Sequence, residues 1–96
     1  MNKLRSQFIE IFDLSPEIVM DLPLIMMVGD GKIYIENHKG ISLFQDKEIK
    51  IKINNGFIIF KGEDLIVGEI NSESITISGK ILSLLYENRM GGIELD

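Results

Sequence analysis

Two hydrophobic periods divide the chain. Leu4, Phe8, Ile11 and Phe12 recur at i, i+4, i+7 and i+8, with Lys3, Gln7, Glu10 and Asp13 away from that stripe, which is the spacing of a helix with one apolar face. Asn2 stands where its N-cap belongs. A second helical turn is predicted from Ser15, with Pro16 at the first helical position and Glu17 near the positive end of the dipole, until Pro23 forces Leu22 into extended geometry. From Leu24 onward the period is two. Short strands are predicted over Leu24–Val28, Lys32–Glu36, Ile41–Phe44, Glu48–Ile53, Phe57–Lys61, Leu65–Ile70, Ser74–Ser78 and Lys80–Tyr86, separated by Gly, Asn or Asp.

In Glu48–Ile53 the polar Glu48, Lys50 and Lys52 alternate with Ile49, Ile51 and Ile53, so this strand has one wet and one dry face, as antiparallel sheets allow. Asn54-Asn55-Gly56 supplies a hairpin turn into Phe57–Phe60, whose apolar residues on both faces predict a central, doubly covered strand. Without helices between strands a parallel sheet is excluded. The expected fold is all-β: an antiparallel β-sandwich of about seven or eight short strands with a short N-terminal helix. Residues 1–20 form the helical segment, 21–87 the β-sandwich domain and 88–96 a polar tail. The inward set is Ile33, Ile35, Ile49, Ile51, Ile53, Ile75 and Ile77.

Composition sharpens the picture. The chain holds 18 Ile and no Ala, a bias towards residues that pack on pleated surfaces and away from the best helix former. The uninterrupted apolar stretch Leu24–Val28 is far short of the roughly 20 residues of a membrane span, and neither a signal-type apolar run nor a small-residue cleavage site follows Lys3 and Arg5. The expectation is a soluble, cytoplasmic protein. The absence of Cys removes disulfides, thiolate metal sites and thiol nucleophiles. A net charge of -5 argues against nucleic acid as a partner, because that affinity comes from Lys and Arg.

Each candidate for chemistry has a plainer reading. His38 stands in Asn37-His38-Lys39-Gly40 between two strands, where a polar turn accounts for it; a zinc site would need three or four ligands, and one His without Cys could supply them only with carboxylates. Gly29-Asp30-Gly31-Lys32 resembles part of a phosphate loop, yet it opens a strand and Ile33 follows the Lys, so it reads as a tight turn. Asp21, Asp30, Asp46, Glu63 and Asp64 have turn spacing rather than cation-loop spacing. No catalytic residue, cofactor or metal is expected. The Leu4, Phe8 and Phe12 stripe is assigned to the protein's own core ahead of a partner or membrane.

One string goes beyond composition. Asp21-Leu22-Pro23, then Gly29, then Ile33-Tyr34-Ile35-Glu36-Asn37-His38-Lys39-Gly40-Ile41, followed by Gly62 and by Gly79-Lys80-Ile81, resembles the YabP/YqfC family of sporulation proteins, and within it the YqfC branch. The resemblance runs from about Leu14 to Tyr86, although Leu24 stands where a basic residue is expected and the Met90–Asp96 tail extends beyond the usual end. It implies an all-β domain without assigned catalytic activity that is needed during endospore formation. It also implies a partner, a larger membrane-associated sporulation protein encoded beside it.

These lines lead to an expected function as a non-catalytic protein-interaction module in the sporulating cell, recruited by that partner to a membrane or to the spore envelope. The expected surface combines Tyr34, Asn37, His38 and Lys39 with Asp21 of the Asp21–Pro23 turn. Strand alternation sets Tyr34 opposite Ile33 and Ile35, where an aromatic with a polar tip suits an interface. Uncovered strand edges predict a weak homodimer, with Leu65–Ile70 and Lys80–Tyr86 less protected than the Lys-bearing Glu48–Ile53. The alternatives are a self-assembling structural component of the spore envelope and a small hydrolase or lyase using His38.

Overall fold

The computed structural model describes residues 3–13 and 22–88. Helix α1 spans Lys3–Phe12 and stops at Asp13, whose φ of 54° is the left-handed conformation that commonly ends helices. The predicted turn from Ser15, the packing of the Leu4, Phe8 and Phe12 side chains and the tail beyond Asn88 lie outside the described residues. No described helix is long and apolar enough to cross a membrane.

Six strands follow: β1 Leu24–Val28, β2 Lys32–Glu36, β3 Ile41–Gln45, β4 Glu48–Ile53, β5 Gly56–Ile70 and β6 Ser74–Asn88. Every neighbouring pair is antiparallel, in the order β1-β2-β6-β5-β4-β3. The antiparallel β fold and short helix agree with the sequence pattern, but the division into seven or eight short strands is corrected. Leu65–Ile70 continues Phe57–Lys61 within β5, and Lys80–Tyr86 continues Ser74–Ser78 within β6. Gly62 and Gly79 look like breaks in the sequence and instead sit inside the ladder, where the register shifts between Lys61 and Gly62 and again between Glu63 and Ile66. A bulge absorbs an extra residue and bends the strand without ending it. Asp64 accommodates one such shift at φ 54°.

The long β5–β6 hairpin therefore carries two half-sheets. Gly56–Lys61 of β5 pairs with β4, and β3 lies beyond; Ser74–Ser78 of β6 pairs with β2, and β1 lies beyond. Ile33, Ile35, Ile75 and Ile77 from one half join Ile49, Ile51, Ile53, Ile58 and Phe60 from the other in a single buried cluster. All seven isoleucines predicted to face inward are at most 2% exposed. At the corner the backbones come so close that a Cβ on Gly79, itself at φ 129°, would sit 2.6 Å from the Asp64 carbonyl oxygen, while one on Gly62 would collide with the Lys80 carbonyl.

Two expectations about strand position have different outcomes. Phe57–Lys61 is central, between β4 and β6. Glu48–Ile53 is interior rather than an edge, because Ile41–Gln45 pairs outside it; among the described residues β1 and β3 are the outermost strands, and Ile66–Ile70 of β5 and Leu82–Tyr86 of β6 are paired on one side only.

Candidate functional site

Between β2 and β3 the Asn37–Gly40 loop is held on three sides. Asn37 adopts φ 67°, a conformation Asn tolerates better than most residues; its N–H donates to the Glu73 carbonyl at 2.8 Å and its Nδ2 donates to the Leu22 carbonyl at 3.0 Å. The Lys39 N–H donates to the Lys52 carbonyl at 2.7 Å, and the Lys52 N–H returns a bond to Gly40 at 2.8 Å. His38 completes the junction. Its Nδ1 accepts the Gly40 N–H and its Nε2 meets the Asn71 carbonyl, each at 2.9 Å, which assigns the ring proton to Nε2. Asn71 in turn shapes the β5–β6 turn, its Oδ1 accepting the N–H groups of Glu73 and Ser74 at 2.9 Å.

This arrangement redistributes the expected surface. His38 is only 8% exposed, so its assignment to an exposed recognition loop is corrected: both ring nitrogens are turned to backbone groups inside. With Nδ1 occupied by a backbone N–H, the ring offers no lone pair to a substrate in this geometry. Asn37 is half-buried and Lys39 is exposed. Asp21 lies outside the described residues, but the neighbouring Leu22 is brought against Asn37, so the two family-like elements meet. Among the described residues no group of three or more His, Cys, Asp or Glu side chains is placed to hold a metal ion.

Tyr34 belongs to a different surface. Cross-strand register aligns Met26, Tyr34 and Thr76 in one row and Val28, Lys32 and Ser78 in the next, on the face opposite Ile33 and Ile77. These residues and Gly68 line an open depression of about 230 Å³. The half-buried Tyr34 donates its hydroxyl to Glu36 Oε2 at 2.6 Å, a bond that directs its ring. Gly68 keeps the floor low, since a Cβ there would come 2.9 Å from Thr76 Oγ1, the atom that accepts the Glu69 N–H at 2.8 Å. Of this face the sequence pattern singles out Tyr34 alone. Alternation within Lys32-Ile33-Tyr34 already puts Lys32 beside Tyr34, whereas Thr76, Ser78 and Gly68 join them only through pairing between distant strands.

A second exposed region is largely apolar. On β6, Leu82, Leu84, Leu85 and Tyr86 are all exposed, and this stretch pairs with β5 along one edge; β2 pairs only with Ser74–Ser78. Leu82 has no partner in the ladder, because Ser83 pairs with Lys61 and Ile81 with Gly62.

Comparison with known proteins agrees with the family-like elements. The model of the YabP family matches residues 22–92. The chain is 35% identical over 85 residues to the uncharacterized protein YqfC of Bacillus subtilis (strain 168), an alignment covering 88% of this chain and 91% of that protein.

Proposed function

The chain belongs to the YabP family, and on that premise we propose that it acts in endospore formation as a non-catalytic docking module for the soluble part of a membrane-associated sporulation protein. The process and the kind of partner come from the family resemblance. The observation that carries docking is the outer face around Tyr34, where an aromatic ring, two apolar edge residues (Met26 and Val28) and a Lys surround a depression. An amphipathic aromatic in a concave surface is a common interface anchor. Lys39, exposed in the loop after β2, is available to the same partner, whereas Asn37 and His38 act by holding that loop in place. The protein works in the cytoplasm of the sporulating cell and reaches a membrane through its partner.

Complementation tests this reading. In a spore-forming host lacking its own copy, the wild-type chain is expected to restore heat-resistant spores, and Val28→Lys, an exposed change in the docking face, is expected not to. Full complementation by a normally accumulating Val28→Lys chain would contradict it.

A second reading, a self-assembling component of the spore envelope, is favoured by one specific observation. The Leu82–Tyr86 run leaves four apolar side chains exposed beside an edge unpaired among the described residues, a geometry that pairs readily with another copy. Filaments or lattices formed by the purified protein alone would support it.

A further inference from the structure

We propose that the free edge of β1 takes up an extended segment of the partner as an added strand, and that this segment carries an apolar side chain for the Tyr34 depression and a carboxylate for Lys32. The inference rests on the docking reading and specifies the partner's chemistry. β1 stands at the end of the sheet and pairs only with β2 among the described residues. Its five residues, Leu24–Val28, carry no charge. Edges exposed to solvent are ordinarily guarded by charges, Pro within the strand or bulges, and among the described residues only Pro23, ahead of the strand, plays any such part. A bare edge beside a pocket is the arrangement used in strand addition, in which main-chain hydrogen bonds supply affinity and pockets for alternate side chains supply specificity.

The depression suits a peptide side chain better than a free metabolite. At about 230 Å³ it lies below the roughly 300–1,000 Å³ of small-molecule sites. Side chains of an added strand alternate between faces, so those on the outer face fall beside Met26 and Val28 at its rim. Charge decides the remainder. Among the described residues Lys32 is the one charged residue that lines the depression, in a chain of net charge -5, and no carboxylate lines it. Glu36, the nearest acid along β2, is buried and bonded to the Tyr34 hydroxyl. An ammonium group without a competing acid in the lining, next to an apolar wall, complements a segment in which an Asp or Glu lies close to a Leu, Ile, Val or Phe.

The test uses a display library of random decapeptides selected on the full chain. Enriched peptides are expected to place an acidic residue within two positions of an apolar one and to bind the Lys32→Glu chain about tenfold more weakly, the equivalent of about 1.4 kcal/mol. Amide shifts on adding such a peptide to the ¹⁵N-labelled protein are expected across Leu24–Val28. No enrichment, enriched peptides without acids, equal binding to Lys32→Glu, or shifts confined to Leu82–Tyr86 would each overturn the proposal. So would a concentration-dependent dimer whose formation shifts the Leu24–Val28 amides, because a second copy would then own the edge. A partner captured from cells equally by wild type and Lys32→Glu would leave the docking reading standing and remove this one, whereas failure to capture any partner would count against docking itself.

Discussion

The imidazole of His38 meets the backbone carbonyl of Asn71 at 2.9 Å across 33 residues of sequence, fastening the β2–β3 loop to the β5–β6 turn. The same ring accepts the Gly40 N–H, so a residue with the chemistry of a base serves as a two-sided clamp for the backbone.

Removing the clamp is expected to destabilise the fold. His38→Ala leaves a half-buried N–H at Gly40 and the carbonyl of the exposed Asn71 without these partners and empties the space of a buried ring; lost hydrogen bonds cost about 0.5–1.5 kcal/mol each, and the vacated space adds to that. Urea denaturation should show a loss of about 2–4 kcal/mol for His38→Ala and about 0.5 kcal/mol or less for the exposed Lys39→Ala. Equal stability of the two variants would remove the structural role of His38.

Neighbouring residues on β4 should respond oppositely to the same substitution. Ile51 is fully buried, so Ile51→Asp introduces an unpaired charge into the core and is expected to cost several kcal/mol or prevent folding. Lys50 points to the other face, where its Nζ lies 4.4 Å from the centre of the Phe57 ring. Lys50→Asp loses that cation–π contact, worth about 0.5–1 kcal/mol at exposed sites, and should stay folded. Thermal melts of the two variants check the strand register directly.

The corner between the half-sheets should tolerate no side chain. Gly62→Ala drives a methyl group into the Lys80 carbonyl, and Gly79→Ala adds crowding against Asp64 to a φ of 129°. Each is expected to cost more than about 3 kcal/mol by overpacking rigid backbone, read as a collapse of amide dispersion or a large fall in denaturation midpoint. Gly29→Ala, with open space around its Cβ position and only the penalty of its φ of 58°, should cost about 1–2 kcal/mol.

How much of this was legible in the sequence depends on the range over which each signal acts. The inward isoleucines follow from local alternation, and Ile33, Ile35, Ile49, Ile51, Ile53, Ile75 and Ile77 occupy the core as the pattern requires. Strand continuity does not follow, because a Gly or Asp that ends one strand and a Gly or Asp that fits a bulge look identical until the opposing strand is known; Gly62 and Asp64 are of the second kind. The Asn37–Gly40 loop stands out in the sequence as polar, but its hydrogen-bond partners, Glu73, Asn71 and Lys52, come from remote turns and strands. Sequence composition therefore suggested an exposed loop for His38 where tertiary hydrogen bonds place it inside. The face of Tyr34 does follow from the sequence, because a period of two alone sets it opposite Ile33 and Ile35.

Self-association is expected through the apolar run of β6. Sedimentation of the wild-type chain up to high micromolar concentration should show a weak dimer, and the double substitution Leu82→Lys with Leu85→Lys should give a monomer of unchanged stability, since both side chains are exposed. A wild-type monomer at every concentration, or a dimer unaffected by the two lysines, would remove this edge as the contact.

Affinity capture from sporulating cells tests whether the Tyr34 face docks a membrane-associated sporulation protein. The baits are the wild type, Tyr34→Ala, Val28→Lys and, as a control in the exposed β3–β4 turn, Lys47→Glu, each first shown to be folded by its amide spectrum. One membrane-associated protein is expected with wild type and Lys47→Glu, with recovery falling about tenfold with Tyr34→Ala and Val28→Lys, as when an interface anchor is lost. Recovery of that protein in equal amounts with all four baits would contradict docking through this face.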